Sequence, residues 1–229
     1  MTMPHKLNML PFYKNPHEVG LDESGRGPLF GRVYAGAVRW GTIEKTEENK
    51  EYYNLVIDSK KLTSVKRKKV IDWIKQNVAA WGVGYSEPEE IDQINILEAT
   101  CLAMKRALKN LKDMEEEKKE EKEEKNIKNI ENLIIDGCHW SRKFPEYNCP
   151  VTSIVKGDDK YLSIAAASIL AKEYHDEHIH DLCRENPELA ERYDLFNNKG
   201  YATKRHLEGI EKYGPSAYHR KSFKPIRKD

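Results

Sequence analysis

The stretch VGLDESGRGPLFGRVYAGAVRW, Val19 to Trp40, decides the fold class. Val19 to Glu23 reads as a short apolar strand ending in two acids, and Gly25 to Gly31 as a turn rich in Gly and Pro. Arg32 to Trp40 alternates small apolar residues with the period of a second strand. Together they predict a hairpin. The glycine-rich turn is no dinucleotide fingerprint, because its spacing differs and a strand rather than a helix follows it.

Outward from the hairpin, strand-like and helix-like stretches alternate. Tyr52 to Ile57 is expected as a third strand, and Ser64 to Val78 as a helix with Val70, Ile74 and Val78 on one stripe. Ala80 to Tyr85 reads as a strand, and Ser86 with Glu89 as a capping box. In Asn95 to Lys112 the residues Leu97, Cys101, Met104, Leu108 and Leu111 mark the buried face of a long helix. Asn132 to Asp136 and Val151 to Val155 read as short strands. Ser163 to Cys183 is a second long helix, in which Ala165, Ala166, Ala167 and Ser168 permit close approach to a sheet. After Pro187 the chain turns polar, with a helix expected at Thr203 to Lys212. A hairpin followed by alternating strands and helices predicts an α/β fold: a mixed sheet flanked by helices, with a small helical lobe at the carboxyl end. The expected division is 1–186 for the main domain and 187–229 for the lobe and basic tail.

The chain has 229 residues, 34% of them charged, yet 39 Lys and Arg against 38 Asp and Glu leave a formal net charge of +1. Total charge therefore decides nothing about a nucleic acid partner; its distribution must. In Lys112 to Lys128 14 of 17 residues are charged, which reads as an exposed helical extension or flexible insertion in which only Met114 and Ile127 could be buried. Without it 33 basic and 30 acidic residues remain. No apolar run approaches the length of a membrane span, and the amino terminus lacks the apolar core of a signal peptide. Four cysteines without a C-x-x-C pair fit free thiols in a reducing compartment, so an intracellular protein is expected, cytoplasmic or, in a eukaryote, nuclear.

Four carboxylates stand out by position. Asp22 and Glu23 end the first strand, Asp136 ends a later one, and Asp158 precedes the small-residue helix. Any one alone is as readily a turn former or a helix cap. If the strand ends converge, however, their mutual repulsion demands cations, and hard divalent ions suit an all-oxygen donor set. Two Mg²⁺ or Mn²⁺ ions about 4 Å apart could then activate a water and stabilise the leaving oxygen in phosphodiester cleavage. In YHDEHIH, Tyr174 to His180, His175 and His178 share a helical stripe with Ala171 and Leu182 and are read as packing residues, and Trp73, Trp81 and Trp140 likewise. Basic clusters at Lys60 to Lys69 and at Arg220 to Lys228 read equally as solvated faces or as contacts to an anionic partner.

These blocks resemble the ribonuclease HII family. GLDESGRGPLFG resembles its opening motif, DSKKL at Asp58 to Leu62 its second, LIIDG at Leu133 to Gly137 its third, and KGDDKYLSIAAASILAK at Lys156 to Lys172 its fourth. NKGYATKRHL and YHRKSF resemble its carboxyl-terminal blocks, so the likeness runs in order from Val19 to Phe223. It implies a ribonuclease H-like fold and an endonuclease that cuts the RNA strand of RNA/DNA hybrids and nicks on the 5′ side of ribonucleotides embedded in duplex DNA, leaving 3′-hydroxyl and 5′-phosphate ends. Carried over by motif, Asp22, Glu23, Asp136 and Asp158 are the catalytic, metal-binding acids. Gly25, Arg26 and Gly27 match the turn that reads the 2′-hydroxyl, and Tyr201 the tyrosine that packs on the sugar. Ser59 and Lys60, with Arg220 and Lys221, complete the expected substrate contacts. Two departures stand out: Asn198 where the family usually has His, and His175 where it usually has Arg; altered substrate contacts or packing are expected there. A ribonuclease HIII-like nuclease and a hybrid-binding module without catalysis are the competing readings. No sliding-clamp motif is evident in the tail, and a monomer without membrane contact is expected.

Overall fold

The computed structural model describes residues 9–43, 46–57, 62–122 and 129–227. The quoted stretch folds as β1 (Val19–Ser24) and β2 (Val33–Arg39), an antiparallel pair in register from Gly20 opposite Val38 to Ser24 opposite Tyr34. On the outer side of β2 lies antiparallel β3 (Ala80–Ser86); on the outer side of β1 lie β4 (Leu133–Asp136) and β5 (Val151–Ile154), both parallel. The order β3-β2-β1-β4-β5 is the expected mixed sheet.

Period-two alternation sends β2 side chains to opposite faces. Ala35 and Ala37 join Val19, Leu21 and Leu133 beneath α3 (Pro88–Lys122), which contributes Met104, Leu108 and Leu111. Val38 and Trp40 join the other layer, built from α2 (Ser64–Asn77) and α4 (Leu162–Glu185). Both long helices sit close to the strands. A Cβ on Gly36 would fall far inside contact with the Ala167 carbonyl of α4, and one on Gly82 would do the same with the Ala107 carbonyl of α3. At the carboxyl end, α5 (Pro187–Tyr193), α6 (Leu195–Asn198) and α7 (Lys204–Tyr213) pack with Phe30 and the last turns of α4. Among the described residues no helix is long and apolar enough to cross a membrane.

Three local expectations are corrected. Tyr52 to Ile57 is helical, part of α1 (Glu47–Ile57), because Tyr52, Tyr53 and Val56 form one helical face; the Tyr52 ring stacks on Trp73 with centroids 5.2 Å apart. The capping interaction at α3 is shifted by one residue: the Glu87 N–H donates to Glu90 Oε2 at 2.9 Å, while the buried Ser86 hydroxyl donates to the Ala99 carbonyl at 2.8 Å. Glu115, read as part of a solvated charge run, is only 8% exposed and pairs with buried Arg39 at 2.8 Å. The charged run itself continues α3 to Lys122, and 123–128 lie outside the described residues. Within α3 the backbone breaks at Asn95, φ 67°, whose Oδ1 accepts from the N–H groups of Leu97 and Glu98 and so caps the second half of the helix.

Candidate active site

The parallel pairing of β1 and β4 builds the site. Leu21 is opposite Ile135, so the next residues, Asp22 and Asp136, leave neighbouring strands side by side. Asp22 is buried, its Oδ1 accepts the Glu23 N–H at 2.7 Å, and Ser168 of α4 hydrogen-bonds its carboxyl group. Burial raises its pKa well above the carboxylate range, and the charges of Glu23 and Asp136 push it further. Glu23 is raised too, first by burial, against the pull of Arg26, whose Nη1 lies 3.1 Å from Glu23 Oε1. The other oxygen, Oε2, is buried and has no hydrogen-bond partner among the described residues.

Asp136 is fastened to the fourth acid's loop. Its Oδ1 accepts the Gly157 N–H at 2.6 Å, at the head of a short 3₁₀ turn, Gly157–Asp159, that leads into α4. Its pKa is raised by burial, lowered by that hydrogen bond and raised again by the charge of Asp158. Asp158, not Asp159, is the one buried in the turn and felt by Asp136. The four acids thus form a continuous run, Glu23 to Asp22 to Asp136 to Asp158, of oxygen donors that repel one another. Among the described residues no three His, Cys, Asp or Glu side chains already stand in a ligating cluster. The donor chemistry and the orphaned Glu23 oxygen nonetheless fit hard divalent cations, which would relieve the repulsion that the raised pKa values record.

Beside the acids lies the glycine turn. Gly25 has φ 88°, and a Cβ there would collide with the His175 ring; Arg26 and Gly27 are exposed. The Arg26 guanidinium is 5.9 Å from the Trp140 ring, and Trp140 Nε1 donates to the Asp136 carbonyl at 2.7 Å. A Cβ on Gly27 would sit 3.3 Å from the ring of Tyr201, which is 43% exposed. The structure therefore brings together Asp22, Glu23, Asp136, Asp158, Gly25, Arg26, Gly27 and Tyr201. A cleft of about 260 Å³ beside Glu23 is lined by Ser24, Leu62, Arg67, Ser168 and Lys172.

The basic residues divide. Ser59 and Lys60 lie outside the described residues. Lys221 is exposed, its backbone N–H anchored to Asp92 Oδ2 at 2.9 Å. Arg220 is no phosphate contact: its side chain is fully buried, and all its nitrogens are committed to backbone carbonyls. Arg67, in the other basic cluster, is held by Glu173 at 2.6 Å and Asp176 at 3.3 Å. The two departures serve packing: Asn198 donates to the Tyr193 carbonyl and accepts the Gly200 N–H, and His175 fills the space behind Gly25. Sequence reading missed Ser168 and Trp140 as neighbours of the acids; their spacing carries no signal, since one read as a small helix residue and the other as core.

A family model described as ribonuclease HII matches residues 19–226. A ribonuclease HII of Parabacteroides distasonis is 43% identical over 216 residues, covering 94% of this chain and 94% of its own. One from Phocaeicola vulgatus is 42% identical over 223 residues, covering 96% of each. Among solved structures, the ribonuclease H2 from Pyrococcus horikoshii OT3 superposes with a TM-score of 0.62 at 25% identity, covering 91% of this chain and 94% of that one.

Proposed function

The chain belongs to the ribonuclease HII family and is an endoribonuclease of RNA/DNA hybrids, and on that premise we propose that it also nicks duplex DNA on the 5′ side of single embedded ribonucleotides. The observation that carries this reading is the adjacency, through the β1–β4 register, of the acid run and the Gly25 to Gly27 turn, in which Arg26 and Gly27 are exposed. Phosphodiester hydrolysis and recognition of a sugar need to occur within one nucleotide of each other, and this arrangement allows it.

Asp22, Glu23, Asp136 and Asp158 would hold Mg²⁺ or Mn²⁺, with two ions suiting the number of acids. When bound, such ions supply activation of the attacking water and neutralisation at the leaving oxygen. The chain's own groups do the rest. The turn at Gly25, Arg26 and Gly27 offers backbone groups to the 2′-oxygen, the one atom that separates RNA from DNA at that position. Tyr201 offers an exposed ring to the sugar beside the cut, and Lys221, together with Ser59 and Lys60, grips phosphates without reading sequence. The products carry 3′-hydroxyl and 5′-phosphate ends. Residues 187–229 act as a substrate-binding lobe on the catalytic domain formed by the rest, and the enzyme works as an intracellular monomer.

The test is a DNA duplex containing one ribonucleotide, incubated with Mg²⁺ or Mn²⁺ and separately with chelator. A metal-dependent nick 5′ to the ribonucleotide is expected. Gel-shift retention without a nick under either metal would instead establish a binding module that has lost catalysis.

A further inference from the structure

Arg220 is a buried cation whose hydrogen-bond partners, among the described residues, are all backbone carbonyls. Nε donates to the Gly31 carbonyl at 2.9 Å, Nη1 to Pro28 at 2.8 Å and Arg26 at 3.1 Å, and Nη2 to Gly25 at 2.7 Å and Arg32 at 3.0 Å. One guanidinium thus gathers five carbonyls of an eight-residue turn that begins 195 residues earlier in the chain. It is carried there by a short backbone pairing: the Arg220 N–H donates to the Leu29 carbonyl, and the Gly31 N–H to Tyr218. Burial lowers the pKa of this group to about 9, against the charges of Tyr201 and Asp92; carbonyl oxygens are acceptors that suit the charged form, in which every guanidinium nitrogen donates.

The consequence follows from the planarity of the peptide bond. In a trans peptide the carbonyl and the N–H point in opposite directions. Drawing the Gly25 and Arg26 carbonyls inward therefore turns the N–H groups of Arg26 and Gly27 outward, away from the guanidinium, at the two exposed positions of the turn. Hydrogen bonds in series polarise one another, so the buried charge also strengthens these two donors. We infer that Arg220 is a positioning residue for ribose selection, holding the Arg26 and Gly27 amides aimed at the substrate's 2′-oxygen. This rests on the reading of the turn given under Proposed function. A lysine could not replace it, because one ammonium with three donors cannot span five carbonyls.

The experiment measures binding to a duplex with one ribonucleotide and to the same duplex in all-DNA form, without divalent metal, for the wild type and Arg220→Lys. The wild type is expected to prefer the ribonucleotide; the variant is expected to lose about tenfold of that preference while its affinity for all-DNA duplex stays within about twofold. A loss of general structure would weaken both affinities alike. Retained preference in a folded R220K overturns the inference. Should R220K not fold, the wild type is read by NMR: the Arg26 and Gly27 amides are expected to shift with the ribonucleotide duplex and not with the all-DNA one, and unmoved amides overturn it. A wild type that neither cuts nor prefers the ribonucleotide duplex overturns the functional reading and the inference together, whereas a cutting wild type beside a selective R220K overturns the inference alone.

Discussion

His206 and His219 face each other across 3.1 Å between their Nε2 atoms, both fully enclosed by the protein. Their outer nitrogens dictate the tautomers. His206 Nδ1 donates to the Tyr201 carbonyl at 2.9 Å, and His219 Nδ1 accepts the Ser216 N–H at 2.9 Å, so the proton between the rings belongs to His219 and both imidazoles are neutral. The pair links Tyr201 to the segment that carries Arg220.

Acid should break that link. Burial holds the pKa of His219 down at about 3 and that of His178 likewise, and it lowers His206 and His175 in the same direction. A group with a depressed histidine pKa is neutral when folded and takes up a proton on unfolding, so its stabilising contribution is present above about pH 6.5 and is lost as pH falls toward the folded value. Thermal melts are expected to drop steadily between pH 7.5 and 5, by about 1 to 2 kcal/mol for each of His219 and His178. A flat melting temperature across that range would show that these rings are already charged or solvent-exposed.

The acid run should have the opposite sign. Because Asp22 and Asp136 have raised pKa values, their ionised forms destabilise the fold at neutral pH, a cost that appears as pH rises through the unfolded value. Asp22→Asn and Asp136→Asn are expected to abolish cleavage while leaving the melting temperature unchanged or raised by the equivalent of about 1 kcal/mol. Millimolar Mn²⁺ should stabilise the wild type and fail to stabilise either variant. Normal turnover by D136N would remove that residue from the catalytic set.

Neighbouring glycines of one turn should behave differently. Gly25→Ala meets both the positive φ of 88° and the His175 ring, and is expected to cost about 2 to 4 kcal/mol in urea denaturation. Gly27→Ala approaches only the edge of Tyr201, at 3.3 Å, so it should fold nearly normally and lose selectivity for ribonucleotides instead. Equal losses of stability in the two variants would contradict this division.

The Arg39–Glu115 pair is almost out of solvent, with side chains 6% and 10% exposed. Glu115→Ala takes from Arg39 its partner at 2.8 Å and leaves the pull of Glu131, so it is expected to cost about 3 kcal/mol, and the double variant Arg39→Met, Glu115→Leu much less. A double-mutant cycle by chemical denaturation measures the difference; additive single losses would show the two are not coupled.

The hairpin, the acids at the ends of β1 and β4 and the two long helices were legible in the chain because their signals are local: a period of two, a period of 3.6, and an acid where an apolar run stops. Tyr52 to Ile57 misled because its aromatic and branched residues have strand propensity, and only the stacking of Tyr52 on Trp73 makes their helical face worth burying. Glu115 misled because a run of Glu and Lys looks solvated at every position, whereas one turn of it passes over Arg39.

By itself, then, the sequence carried the resemblance to the family, through motif blocks running in order from Val19 to Phe223, together with the mixed sheet and the four acids as candidates. The tertiary structure alone decided which charges are chemistry and which are scaffold. Arg220 sits in a basic run of the tail and reads as a phosphate contact until the pairing of 218–220 with 29–31 places it beneath the turn. Whether a charge faces water or five carbonyls depends on desolvation by segments remote in sequence, and no local pattern records that.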